Sequence, residues 1–219
     1  MKFIEERNMI IKTCLQLQKI QYFLGTWGNI SIRIGDEVLL TPTRVVYDVM
    51  KPEDIVITDI YGNKLEGIHN PTSEKEVHCQ IYQRREDVKA VIHAHTVNAM
   101  AVSVLEIQEV PCMVEEMSQL LGGSIFLTPT YISAEKHVEL GKVTAEVLKD
   151  HNAVIMRNHG SVCCGRDMAE AKLVASVQEK ACEIYLKSIS TGIQIKNIPD
   201  VAVASERYRY LYKYGHENT

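Results

Sequence analysis

No stretch of the 219-residue sequence offers the roughly 20 consecutive apolar residues that a membrane-spanning helix needs. The first residues, Met1 to Arg7, are charged within two turns and have no apolar core of a secretory leader. There is no Cys-x-x-Cys pair, although six cysteines are present. They lie scattered through helix- and strand-like segments and read as reduced, buried small hydrophobes of a cytoplasmic protein. Cys163-Cys164 would point to opposite faces of a strand, which excludes an unstrained bridge between them. Charge of one sign is also missing. Lysine and arginine number 24 against 28 aspartates and glutamates, for a net charge of −4. A nucleic-acid partner demands a basic face, so none is expected, and no membrane partner either. Mixed clusters such as Arg84-Arg85-Glu86-Asp87 read as solvated helix ends. Repeats, low-complexity linkers and a dinucleotide-binding glycine fingerprint are absent too.

What is present reads as one domain over residues 1–219, since 46% of the residues are hydrophobic. Apolar positions at helical spacing (Ile10, Cys14, Leu17, Ile20) predict a helix from Ile4 to about Phe23, stopped by Gly25-Thr26-Trp27-Gly28. Ile30–Ile34 and Val38–Leu40 predict a hairpin around Gly35-Asp36. Ile55–Ile60 and Lys64–Glu66 predict another around Tyr61-Gly62-Asn63. A helix is expected from Pro71-Thr72-Ser73 to about Arg84, then a strand over 90–95 and a short helix over 97–105. A strand over 124–128, a helix from Ala134 to Lys149, and strands over 153–157 and 161–164 follow. Helices from Asp167 to Ser188 and from Ser205 to Tyr214 complete a central sheet, rich in hairpins, with helices on its faces.

Two segments carry chemistry. In Val91-Ile92-His93-Ala94-His95, residues two apart on a strand share a face, so two imidazoles stand side by side. A later strand delivers His159 at its end, in Asn158-His159-Gly160. Three histidines with one open position describe a catalytic zinc site rather than a structural one. The His93/His95 pair alone also fits two polar core histidines. The second segment is Ser73-Glu74-Lys75-Glu76, with the spacing of a capping box. Ser73 would cap the helix and Glu74 would complement its dipole. The same helix end, with the hydroxyls of Thr72 and Ser73, suits an anion such as a phosphate. Glu74 would stand between that anion and the metal, able to ligate or to move a proton. The Gly25–Gly28 loop reads as a helix stop, or as further backbone donors joined by the Asn29 side chain. Thr43 could add a hydroxyl.

Taken in order, Gly25-Thr26-Trp27-Gly28-Asn29-Ile30-Ser31, Thr41-Pro42-Thr43, Thr72-Ser73-Glu74, His93-Ala94-His95 and Asn158-His159-Gly160 resemble the motifs of the zinc-dependent class II aldolase and adducin-head family. The resemblance spans nearly the whole chain. It implies a three-layer α/β/α fold with a mostly antiparallel central sheet. It implies a homotetramer with active sites between neighbouring subunits, and a small phosphorylated sugar as partner. One Zn2+ per chain, or another divalent transition metal, would be held by His93, His95 and His159, with Glu74 as additional ligand and general base. Gly28, Asn29, Thr43, Thr72 and Ser73 would contact the substrate phosphate. The implied reaction is reversible aldol cleavage of a ketose 1-phosphate, L-fuculose 1-phosphate or a related deoxy-pentulose 1-phosphate, to dihydroxyacetone phosphate and an aldehyde.

Two departures bear on that reaction. Where the family's aldolases usually carry glycine after the Thr-Pro-Thr element, this chain has Arg44, which could bind phosphate directly or narrow the pocket. Where they carry a catalytic tyrosine, after Pro111, this chain reads Val114-Glu115-Glu116-Met117. A glutamate there resembles the family's methylthioribulose-1-phosphate dehydratases, whose acid/base in that segment is a glutamate; Glu116, on a segment expected to approach the metal, or Glu115 or Tyr214, is then the second acid/base. Epimerases and decarboxylases of sugar phosphates are further alternatives. Glu115 and Glu116 also fit a solvated helix start. Tyr214 matches a C-terminal tyrosine that reaches an adjacent subunit's site, and equally fits simple packing. A metal-free interaction module of the adducin kind would have lost the histidines, and all three are here.

Overall fold

The computed structural model describes residues 1–213. Its centre is a nine-stranded sheet. Strands β1 (Asn29–Ile34) and β2 (Glu37–Leu40) form the first hairpin, and β3 (Val56–Asp59) and β4 (Lys64–Glu66) the second. They are followed by β5 (Ala90–Ala94), β6 (Glu109–Val110), β7 (Ile125–Leu127), β8 (Ala153–Met156) and β9 (Gly160–Gly165). The spatial order is β4-β3-β2-β1-β5-β9-β8-β7-β6. Seven of its neighbouring pairs are antiparallel, and β7 with β8 is the parallel one.

Alternation along β5 divides the core in two. Ala90, Ile92 and Ala94 face one apolar cluster, and Val91 faces the other. The first cluster is covered by α1 (Ile4–Lys19), α3 (Val97–Ser103) and α5 (Met168–Ile189). The second lies beneath α2 (Lys75–Arg84) and α4 (His137–Leu148). The result is the expected α/β/α arrangement. Cys163 belongs to one cluster and Cys164 to the other, and all six cysteines are free and buried.

The boundaries differ from expectation in instructive places. Helix α1 stops at Lys19, four residues early. Gln21 takes the left-handed conformation (φ 62°), and Tyr22 N–H closes back on the Leu17 carbonyl at 2.9 Å. The glycine loop is therefore not the helix cap. The short edge strand β6 has no alternation to read, because two residues hold no period. Residues Met117–Leu121 form one π-helical turn, against which the last helix, α6 (Asp200–Tyr212), packs. Helix α6 begins five residues before the expected Ser205, directly after Pro199, as suits a residue with fixed φ and no N–H.

Candidate metal centre and substrate cleft

The three histidines converge. Their ligand nitrogens lie within 4.8 Å of one another, and the rings meet edge to face with centroids 4.8–5.2 Å apart. Strand β5 ends at Ala94, so His95 lies one residue beyond it but still shares the face of His93. The β8–β9 turn, Arg157-Asn158-His159, brings in the third ring. Its middle residue, Asn158, sits at φ 54°, a conformation that asparagine tolerates better than most residues.

The surroundings fit a divalent metal. His93 Nδ1 lies 2.9 Å from the Ser161 carbonyl and donates to it, so Nε2 is the ring nitrogen turned to the centre. His93 Nε2 and His95 Nε2 face each other at 2.9 Å, within hydrogen-bond distance, so both ring nitrogens are aimed into the same small space. A Cβ on Gly160 would stand 2.7 Å from the Ala94 carbonyl oxygen and 3.0–3.1 Å from the rings of His95 and His93. Only glycine lets the two chain segments close around the centre.

Glu74 completes the set. It is 8% exposed, with Oε1 2.9 Å from His159 Nε2 and Oε2 3.2 Å from His93 Nε2. Burial alone would raise its pKa, but the charge of His93 and hydrogen bonds from His159 and His93 outweigh it and hold the carboxyl well below the usual range. His93 is pushed up in return: burial opposes this, and Glu74 overcomes it. His95 is driven down to about 3 by burial and by the neighbouring His93 and His159. The centre thus offers an ionised carboxylate and a neutral imidazole, the states that metal binding and proton acceptance require.

Ser73 is not the helix cap. Glu74 itself holds the N-cap position, with no side-chain cap bond, while Ser73 points outward and Thr72 Oγ1 takes the Glu74 N–H at 3.3 Å. The cause is a clamp between two loops. Thr72 N–H bonds the Thr41 carbonyl and Thr43 N–H bonds the Asn70 carbonyl, each at 3.0 Å, so the helix starts later than the capping-box spacing implied. That clamp gathers Thr43, Arg44, Thr72 and Ser73 on one side of a cleft of about 350 Å³. Trp27, Gly28, Asn29, Glu74, His95 and His159 line the rest. Gly28 (φ 116°) is obligatory, since a Cβ there would lie 2.4 Å from the Phe23 ring.

Residues 8–186 match the family described as Class II Aldolase and Adducin N-terminal domain. The chain belongs to the class II aldolase and adducin family. It is 33% identical over 187 residues to a Methanocaldococcus jannaschii protein named L-fuculose phosphate aldolase, covering 84% of this chain and 97% of that one. A protein of the same name from Escherichia coli K12 is 31% identical over 210 residues, covering 93% and 96%. A solved structure described as L-fuculose 1-phosphate aldolase superposes with a TM-score of 0.87 at 26% identity, covering 94% of this chain and 96% of that one.

Within this class II aldolase fold, the side chains singled out from the sequence fall into three groups. His93, His95, His159 and Glu74 form the floor. Gly28, Asn29, Thr43, Arg44, Thr72 and Ser73 all line the cleft, but Asn29 is partly committed: its amide N–H goes to Glu74 Oε2 at 2.9 Å and its oxygen faces His78. One amide N–H remains for a substrate oxygen. Glu116 is not among the residues that line the cleft with His95, His159 and Glu74. It is solvent-facing and accepts a hydrogen bond from Lys180 Nζ at 2.6 Å, which holds its carboxyl below the ordinary range. Helix α5, which carries Lys180, draws the π-helical segment to itself. Tyr214 lies outside the described residues.

Sequence reasoning missed Trp27 and His78. Trp27 is 67% exposed, with its ring 17° from parallel to His95 at 6.5 Å. Its place in the glycine motif named the loop but gave no reason to look at the side chain. His78 had a visible signal: it follows Glu74 by four residues, one helical turn.

Proposed function

We propose that this protein is a metal-dependent aldehyde-lyase that reversibly cleaves a ketose 1-phosphate, L-fuculose 1-phosphate or a related deoxy-pentulose 1-phosphate, to dihydroxyacetone phosphate and an aldehyde. The observation that carries this reading is three imidazoles and an ionised carboxylate converging at the floor of a cleft whose rim offers hydroxyls and an arginine. The relatives named L-fuculose phosphate aldolase support it. Zinc suits the three-histidine set, one ion per chain, and its Lewis acidity would favour the negative charge that develops on substrate oxygens during carbon–carbon cleavage.

The chain's own groups do the rest. Glu74, ionised and beside the metal, moves the proton to and from the carbon freed by cleavage. The phosphate takes the guanidinium of Arg44, the hydroxyls of Thr43, Thr72 and Ser73, an Asn29 N–H and the Gly28 backbone. Arg44 is the one lysine or arginine lining the cleft, and its guanidinium makes no hydrogen bond or ion pair among the described residues. The subunits form a homotetramer, and Glu116 and Tyr214 of one subunit serve a neighbour's cleft. The exposure of Glu116 on its own chain supports this assignment. As proton donor to the aldehyde oxygen it must leave Lys180 and be desolvated at the subunit contact. A cytoplasmic location accords with the six free, buried thiols.

The purified, zinc-loaded protein is incubated with a panel of ketose 1-phosphates. Dihydroxyacetone phosphate is coupled to NADH oxidation and products are weighed by mass spectrometry. Cleavage of at least one 6- or 5-carbon ketose 1-phosphate is the expected result. Loss of water from the substrate, without dihydroxyacetone phosphate, replaces this reading with the dehydratase reading that Glu116 favours.

A further inference from the structure

A row of polar side chains runs beneath Glu74, sealed from solvent. Tyr82 Oη lies 2.7 Å from Ser31 Oγ, and Ser31 Oγ lies 2.7 Å from His78 Nδ1. His78 Nε2 meets Asn29 Oδ1, and Asn29 Nδ2 donates to Glu74 Oε2 at 2.9 Å. Tyr82, Ser31 and His78 are all buried. The row follows from the two periods that meet here. Asn29 and Ser31 are two apart on β1 and share the face opposite Ile30 and Ile32. Glu74, His78 and Tyr82 are four apart along α2 and share one side of it.

The direction of every bond is fixed from the carboxylate outward. Ionised Glu74 can only accept, so Asn29 turns its amide nitrogen to it. The Asn29 oxygen then faces His78 and accepts, so Nε2 must carry the hydrogen. Burial, and then the nearby His93, push the His78 pKa down to about 3 against the opposing pull of Glu74, so the ring is neutral and has no second proton. Nδ1 is therefore bare and accepts from the Ser31 hydroxyl, whose oxygen accepts from Tyr82. All four donors point at Glu74. Reversing one link sets like groups face to face, and an unsatisfied buried polar group costs about 1–3 kcal/mol.

We infer that His78 is a positioning residue. Acting through Asn29, and backed by Ser31 and Tyr82, it pins Oε2 of Glu74 and so fixes the orientation of the carboxylate, with Oε1 facing His159. This rests on the proposed role of Glu74 as base.

The test compares His78→Leu, which breaks the row, with His78→Gln, whose amide can donate to Asn29 and accept from Ser31. His78→Leu should lower kcat about 10–100-fold, the scale of a misplaced catalytic group, and leave KM within about threefold. It should slow exchange of the dihydroxyacetone phosphate C3 proton with deuterated water in parallel. His78→Gln should recover most of both. Val77→Ala, on the same helix but in the apolar cluster, supplies a loss of stability without a loss of kcat. Should His78→Leu fail to fold, Ser31→Ala carries the comparison, with a smaller fall in kcat expected and none overturning the inference. Nitrogen-15 spectra of the unmodified protein should show His78 as the neutral Nε2–H tautomer. That readout is independent of turnover, so it stands even where no ketose phosphate is cleaved. An Nδ1–H or cationic ring, an equal loss in the Leu and Gln variants, or a kcat loss matched by Val77→Ala would overturn the inference.

Discussion

The floor and the rim of the cleft are built on opposite terms. On the floor, His93, Glu74, Asn29 and His78 are buried and hydrogen-bonded to one another or to backbone. On the rim, Trp27, Arg44 and Ser73 are exposed. Arg44 adopts φ 60°, a left-handed conformation that costs a non-glycine residue roughly 1–2 kcal/mol. Glu116 stands outside its own chain's cleft altogether. A fully partnered buried network is rigid before any ligand arrives, which suits groups that must be placed to a few tenths of an ångström. The rim has groups waiting for partners: an anion, and in the proposed tetramer a neighbouring subunit. The histidines and Glu74 sit in the part that one chain completes alone, and the cleft groups without partners sit in the part that faces outward.

The largest effect should come from breaking the floor. His95→Ala removes one of the three histidines proposed to hold zinc, so the purified variant should lack zinc by elemental analysis, lose turnover, and keep its fold by circular dichroism. Trp27, the sole tryptophan, lies against His95, so zinc titration into the metal-free native protein should also change its fluorescence. Full zinc occupancy in His95→Ala sinks the metal assignment.

The next asks whether the rim is shared. Glu74→Gln should reduce kcat by at least about 10²-fold, the low end for removing a general base. Glu116→Gln should slow cleavage but not the C3 proton exchange, which needs only the metal and Glu74. If Glu116 serves a neighbour's cleft, tetramers mixed from the two variants contain clefts with both glutamates intact, and activity should return on mixing. No recovery on confirmed subunit exchange assigns Glu116 to its own chain or to no role.

Sequence pattern made much of the floor legible, because strand and helix periods were enough to place it. His93 and His95 share a face since side chains on a strand alternate, and Glu74 precedes a helix whose apolar positions were readable. The same two periods contained His78, Tyr82 and Ser31. What hid the row was pairing: nothing in the string of residues says that β1 lies beneath α2. Ser73 misled because the capping-box spacing is local, whereas the clamp of Thr41 on Thr72 and of Asn70 on Thr43 is not. Glu116 misled for a related reason. Its motif position marked a chemical role, but a single chain holds it against Lys180 and faces it to solvent. A role that depends on assembly leaves no mark on the periodicity of one chain.

Acid sensitivity sharpens the comparison from the floor side. The His78 pKa falls from 6.5 to about 3 on folding, chiefly through burial. Between those values the unfolded chain holds a proton that the folded chain does not. Stability contributed by the neutral ring is therefore complete above pH 6.5 and lost as pH falls toward 3, by up to about 1.4 kcal/mol per unit. In metal-free protein, His78→Gln should flatten the dependence of unfolding free energy on pH between 6 and 4 by that amount. An unchanged slope would mean that His78 is protonated in the fold and cannot accept from Ser31.

The smallest effect probes the rim and should have two opposite signs. Glycine fits φ 60° without strain, so Arg44→Gly relieves the backbone. The greater freedom of glycine in the unfolded chain offsets part of that gain, leaving a rise in Tm on the order of 1–3 °C. The same change removes the one cation from the cleft lining, and a hydrogen bond to a charged group is worth about 1.5–3 kcal/mol, so KM for the phosphorylated ketose should rise about tenfold or more. Arg44→Lys keeps the charge and the strain and loses the planar fork, so it should fall between the two in KM with no gain in Tm. The pairing of the two signs is what separates a ligand-binding residue from a surface one. A stabilised Arg44→Gly with unchanged KM would leave a strained arginine that binds nothing, and the rim would then owe its phosphate affinity to hydroxyls and backbone alone.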